Sequence, residues 1–196
     1  LPIYRISLKI IILVILAVTF FTGCAKSHRV FINPSLPIHN STIGNQLPVT
    51  VNVIDNRPNN IISKWRGGLN IRKFTVISQG DLKDIFTNRV QQALSKLGFS
   101  PKSSHSENDR IFTFEIINIK SRYQEALPKM NVQIGADVKA TCYNSDEKLS
   151  RVFTSRKTRS DITPASFPNE SLLNASLSEI MGKVFSDSAL LVCLSH

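Results

Sequence analysis

The side chains reactive enough for catalysis or metal binding are few and poorly spaced for either. His28, His39, His105 and His196, with Cys24, Cys142 and Cys193, are scattered along the 196 residues. A nucleophile or a metal needs partners held by rigid elements, and these histidines fall in an N-terminal lead-in, a polar loop and the C-terminus. No Gly-x-Ser-x-Gly, His-Glu-x-x-His or phosphate-cradling glycine loop occurs. The expectation is no catalytic residue, no metal and no cofactor. The competing reading is an enzyme whose site assembles from dispersed groups such as Asp55 and Arg57.

Other residues suit binding better than chemistry. Asp55 and Arg57 stand two apart at a strand end and so share a side; that pattern makes a local ion pair or a clasp on a charged partner. Trp65 lies between Lys64 and Arg66, ahead of Gly67 and Gly68. Such a ring packs over a loop and part of the core, or serves as a binding anchor at a head-group boundary. The most basic stretch is "SRVFTSRKTRSD". In strand phase Arg151, Lys157 and Arg159 share one side and Arg156 takes the other. With Lys139 on the polar phase of the preceding strand, one sheet face would carry a cationic stripe, either a guard against strand aggregation or a surface for anionic ligands.

The elements that must position these groups follow from periodicity. "VTVNVID" alternates and ends near Pro58, which cannot continue a ladder. A second strand is expected over residues 69–78. A helix starts at Asp81, buries Leu82, Ile85, Phe86, Val90, Ala93, Leu94 and Leu97, and stops at Gly98. Three strands, near residues 111–123, 130–143 and 149–161, are joined by short hairpin connections. A last helix covers about residues 170–191. This order predicts an α+β domain: a mostly antiparallel sheet of about five strands with two helices packed on one face. Cys142 ends an inward-facing run from Val132. Cys193 would sit opposite the apolar stripe if the last helix ran straight, at about 100° per residue. That favours two unpaired thiols, with a Cys142–Cys193 disulfide as the alternative.

The N-terminus has a different character. Arg5 and Lys9 precede an apolar stretch, residues 10–21, that stops at Thr22-Gly23-Cys24, with no acid before Asp55. A stretch of twelve residues is short of the roughly 20 that span a bilayer, and the layout is that of a secretory signal. Small residues just before a cysteine resemble the lipobox of bacterial lipoproteins, although Phe21 stands where those usually carry Leu. The resemblance implies cleavage before Cys24, a diacylglycerol thioether on its sulfur and an acyl chain such as palmitate on its new amino group. Ala25, not Asp, follows Cys24, which by the same resemblance implies the outer membrane of a Gram-negative bacterium. The expected organisation is therefore a cleaved signal at 1–23, a lipidated N-terminus and tether at 24–47, in which Val30 and Ile32, then Leu36 and Ile38, alternate enough for a short edge strand, and one periplasmic domain at 48–196.

After Cys24 the chain keeps 22 of its 24 Lys and Arg residues against 14 acids, about eight net positive charges. In the periplasm such an excess points to anionic lipids, lipopolysaccharide or acidic proteins, and excludes nucleic acid. "TGCAK", Asp55-x-Arg57, "ALSKLGF", the long hairpin and the C-terminal helix together resemble the YajG-type lipoproteins, a largely uncharacterised envelope family. The resemblance implies location and fold class without an activity. The expected partners are the membrane, through the lipid, and either an envelope protein or an anionic envelope component.

Overall fold

A computed structural model describes residues 26–67, 72–103, 110–126, 129–145, 147–162 and 169–196. The apolar run, the lipobox-like segment with Cys24, and His105 lie outside these residues. The elements in chain order are β1 (Lys26–Val30), β2 (Pro48–Asp55), β3 (Ile61–Gly67), β4 (Arg72–Ser78), α1 (Leu82–Lys96), β5 (Ser100–Lys102), β6 (Arg110–Ala126), β7 (Lys129–Tyr143), β8 (Lys148–Ile162), α2 (Asn169–Phe185) and α3 (Ser188–Ser195).

The α+β class stands, but the strands form two mixed sheets rather than one mostly antiparallel sheet. The larger runs β5-β2-β6-β7-β8 and the smaller β1-β4-β3. β2 pairs in parallel with β5 and β6, whereas β6-β7-β8 is an antiparallel meander. The reason is the connection: between β2 and β6 lie two strands, a helix and a third strand, long enough to return the chain for a parallel pairing. A strand that the sequence reading did not include, β3, contains Lys64, Trp65 and Arg66 and pairs antiparallel with β4.

Alternation sets the core. Val49, Val51 and Val53 of β2, Phe112, Phe114 and Ile116 of β6, and Val132 through Cys142 on alternate positions of β7 are buried. Phe86 of α1 stacks on Phe114 with ring centroids 5.3 Å apart, and Phe185 of α2 meets Phe112 at 5.4 Å. Helix α1 begins as expected, with Asp81 accepting from the Lys83 amide at 2.8 Å, and Gly98 ends it at φ +85°.

The expected single C-terminal helix is two. Asp187 breaks it, accepting from the Leu190 amide at 3.0 Å as the N-cap of α3. The new helix therefore starts with its own direction, and the straight-helix projection for Cys193 no longer applies. Cys193 is buried and bonded to Cys142, with Cα atoms 6.3 Å apart. The disulfide, not the pair of free thiols, is what the fold contains.

The expected tether is the largest departure. Residues from Lys26 onward are built into the domain: β1 pairs in parallel with β4, and Val30 and Ile32 are buried. Beyond β1 the chain lies along α2. The amides of Phe31, Asn33 and Ser35 donate to Glu170 Oε2 at 3.0 Å, Asn174 Oδ1 at 2.7 Å and Ser178 Oγ at 2.7 Å. Two residues of extended chain advance about 6.6 Å and four of helix about 6 Å, so every second amide finds every fourth helix side chain. Further on, the amides of Ser41, Gly44 and Gln46 donate to the carbonyls of Lys96, Leu97 and Gly98 at 2.8, 2.9 and 2.7 Å. They satisfy carbonyls that a helix end leaves without intrahelical partners.

Candidate functional site

The expected cationic stripe does not form as the pattern suggests. Arg151, Lys157 and Arg159 do share a phase of β8, opposite the inward positions Ala140, Ile134 and Val132 of β7. That side faces the helices. Arg151 Nη1 lies 3.0 Å from Asp187 Oδ2, and Lys157 Nζ lies 2.8 Å from Glu179 Oε2. Lys139 belongs to the opposite face, 3.3 Å from Glu115. The four cations are thus split between faces, and Arg151, Lys157 and Lys139 are ion-paired, so they form no common anion-binding stripe. Period-2 alternation assigned the phase but not the side that helices would cover, because β8 is polar on both.

Glu179 takes Lys157 on one oxygen and Lys183 on the other, at 2.8 and 2.7 Å. Hydrogen bonds from these two lysines hold its carboxyl at about 2, against an ordinary 4.5. A pKa depressed in the folded state stabilises above the unfolded value and loses that contribution as pH falls through the folded one. The thermal midpoint should fall between about pH 4.5 and 2, and Glu179→Gln should flatten that slope. The pair is half-exposed, so 1 M salt should shrink the difference. Equal slopes for native protein and variant, from calorimetry at stepped pH, would remove Glu179 from the acid response.

Asp55 and Arg57 form the local clasp. Arg57 donates through Nε and Nη2 to the two carboxylate oxygens at 2.8 and 2.7 Å, and its amide adds a bond at 3.2 Å. Burial raises the Asp55 pKa, but the Arg57 hydrogen bonds and charge outweigh it and leave the group lowered. Bidentate geometry of this kind fixes a turn where β2 leaves the sheet.

Trp65 packs inside. Its ring stacks on Phe74 at 4.9 Å and meets Tyr123 at 5.6 Å, joining the small sheet to the long hairpin of the large one. Ser63 Oγ donates to the Ser121 carbonyl at 2.8 Å in the same seam. Burial there pushes the Tyr123 hydroxyl up to about 12.

The sheet face opposite the helices holds a shallow groove of about 490 Å³, lined by Asn118, Lys120, Arg122, Gln133, Gly135 and Arg156 among others. Sequence reading passed over it, because its residues come from three strands. A β-bulge between Ile116 and Asn118 re-phases β6 there. Arg156 crosses Gly135, where a Cβ would come within 3.3 Å of its Cδ, and donates to both oxygens of Asp137 at 2.8 and 3.0 Å. Thr154 and Asn118 also donate to Asp137, at 2.8 and 3.2 Å. Burial raises the Asp137 pKa, and these bonds with the Arg156 charge more than reverse it. Lys120 and Arg122 have no carboxylate partner among the described residues. No cluster of three or more His, Cys, Asp or Glu suited to a metal ion stands among the described residues.

Residues 34–194 match a protein family described as uncharacterized lipoprotein. The chain belongs to that lipoprotein family. The match begins at Pro34, inside the segment expected to be a tether. It supports a lipoprotein without specifying the YajG type. No curated protein matches the chain. Among solved structures, protein XCC0632 from Xanthomonas campestris is 13% identical with a TM-score of 0.47, covering 87% of this chain and 95% of that one. A minor lipoprotein from Acinetobacter baumannii is 10% identical with a TM-score of 0.37, covering 76% and 91%. Lipoprotein GNA1162 from Neisseria meningitidis is 12% identical with a TM-score of 0.37, covering 70% and 97%. No helix among the described residues is long and apolar enough to cross a membrane.

Proposed function

We propose that this is a lipid-anchored envelope lipoprotein of the YajG type, attached through Cys24 after removal of residues 1–23, with a non-enzymatic periplasmic domain that binds another envelope component. The observation that carries this reading is the N-terminal geometry: the chain is already paired into the small sheet at Lys26, two positions after Cys24. A lipid on Cys24 therefore holds a folded domain directly at the membrane. The family match supports the lipid, and a buried disulfide suits an oxidising compartment. Ala25 after the cysteine favours the outer membrane. Two or three acyl chains hold durably where one alone is marginal.

Feeding cells a clickable palmitate analogue should label the native protein and leave Cys24→Ser unlabelled and released from the membrane fraction. Crosslinking from intact cells should then capture an envelope component with the native protein and lose it with the variant. An unlabelled native protein defeats the anchoring. A labelled protein that captures nothing in either form defeats the binding role.

A further inference from the structure

The positive charge of this protein is concentrated at one end, and that end is where the N-terminus emerges. The register fixes the level. Lys26 of β1 pairs with Phe74 of β4, and Phe74 with Trp65 of β3. Trp65 meets Tyr123 of β6, which pairs with Val132 of β7, and Val132 with Arg159 of β8. Both hairpin ends, β3–β4 and β6–β7, lie beyond this level. Within one residue of it, or beyond it, the small sheet carries Lys26, Lys64, Arg66, Arg72 and Lys73. The large sheet adds Arg122, Lys129 and Arg159 there, against only Glu125 and Asp161. Eight of the 22 cations after Cys24 thus face two of the 14 acids. The strands thus carry a surplus of six positive charges at this end, against about eight for the chain after Cys24.

Chain length ties the same end to the bilayer. Cys24 precedes Lys26 by two residues, about 7 Å of fully extended chain. The Debye length at physiological salt is about 8 Å. Lys26 therefore stays within roughly one screening length of the head groups that hold the anchor, and the other cations of its level come as near when that level lies along the membrane. A tether of more than 20 residues would have put them beyond it.

We infer that the hairpin end of the domain docks on the anionic lipid head groups of the membrane that holds Cys24, so that the lipoprotein stands on its membrane in one orientation. This rests on the anchoring proposed above. Lys64, Arg122 and Lys129 are exposed with no carboxylate partner among the described residues, and they carry the contact. Docking here leaves the opposite end of the domain turned toward the periplasm.

Trp65 is the only tryptophan and lies at this level, so it reports the contact. The native protein, purified with its anchor, is reconstituted into phosphatidylglycerol/phosphatidylethanolamine or phosphatidylcholine vesicles containing head-group spin-labelled lipid. Flotation in 1 M salt reads the anchor alone. Quenching of Trp65 at 0.1 M salt reads the docking. Quenching is expected in the anionic vesicles, with loss in 1 M salt and in the triple variant Lys64→Glu/Arg122→Glu/Lys129→Glu. It should persist in the matched control Lys83→Glu/Lys102→Glu/Lys148→Glu, whose positions are exposed elsewhere.

Flotation in high salt with Trp65 equally quenched, or equally unquenched, in both vesicle types overturns docking and leaves the anchor standing. Loss of flotation in high salt overturns the anchor. In that case salt-sensitive binding to anionic vesicles, weakened at least about fivefold per reversed cation, still supports the basic end as a membrane-binding surface. No binding under either condition overturns both.

Discussion

Replacing both Cys142 and Cys193 by alanine should lower the thermal midpoint by about 8–16 °C in a domain of this size. The bond spans 51 residues, and closing a loop of that length removes unfolded-chain entropy equivalent to about 4 kcal/mol. Its native location matters as much as its loop. Cys142 lies in β7, in the middle of the long meander, and Cys193 in the last helix, so the bond fastens the C-terminal turn to the sheet. Both residues are buried, so a reductant reaches the sulfurs only through opening of α3. Unfolding followed by circular dichroism, for the native protein and the double variant, measures the effect. A midpoint within about 2 °C of native would mean that packing of Leu190 and Leu194 holds α3 without help from the bond. The expected result also bears on compartment: a chain kept reduced would lack this contribution until export.

That disulfide shows where the sequence was legible and where it stopped. The inward direction of Cys142 could be read from the alternation beginning at Val132. The partner could not be read, because the projection assumed a single helix through Ser186 and Asp187. The local signal existed: an aspartate three residues before Leu190 is an N-cap pattern. An apolar stripe continuing on both sides concealed it. Helix α1 was legible at both ends because Asp81 and Gly98 act locally. Parallel pairing of β2 with β6 was not, since alternation describes a strand's faces and says nothing of its neighbours. The candidate site divided in the same way. The common phase of Arg151, Lys157 and Arg159 was correct, while Asp187 and Glu179, which neutralise two of them, come from helices 20 or more residues away. The groove around Gly135 and the basic hairpin end are both assembled across strands, and only the register brings their residues together.

The N-terminal segment was read as a tether for a physical reason. Pro34, Pro37 and Pro48, with Asn and Ser between them, carry neither helical nor sustained strand periodicity. Its order comes from partners that local pattern cannot show: side chains of α2 along residues 31–35 and carbonyls of α1 along residues 41–46.

Gly44→Ala tests whether that segment is part of the domain. A Cβ at Gly44 would lie 2.3 Å from the Phe99 amide nitrogen, 2.5 Å from Phe99 Cγ and 2.6 Å from the Gly98 carbonyl carbon. Two of these are backbone atoms at the end of α1 and cannot rotate away. The turn must lift, which strains the bonds from Gly44 to Leu97 and from Gln46 to Gly98. The expected cost is about 3 kcal/mol, or about 6–12 °C in midpoint. Gly80→Ala is the control: its Cβ would meet only the Ile85 side chain, Cδ1 at 3.4 Å and Cγ1 at 3.9 Å, ordinary contacts, and the midpoint should stay within about 2 °C. If the two variants behave alike, residues 41–47 are not bound to α1 and the domain hangs from a tether after all. If they differ as expected, the same substitution links fold to orientation. A turn lifted from α1 loosens the chain that fixes β1, and anchored Gly44→Ala should lose part of its Trp65 quenching on anionic vesicles while still floating in high salt.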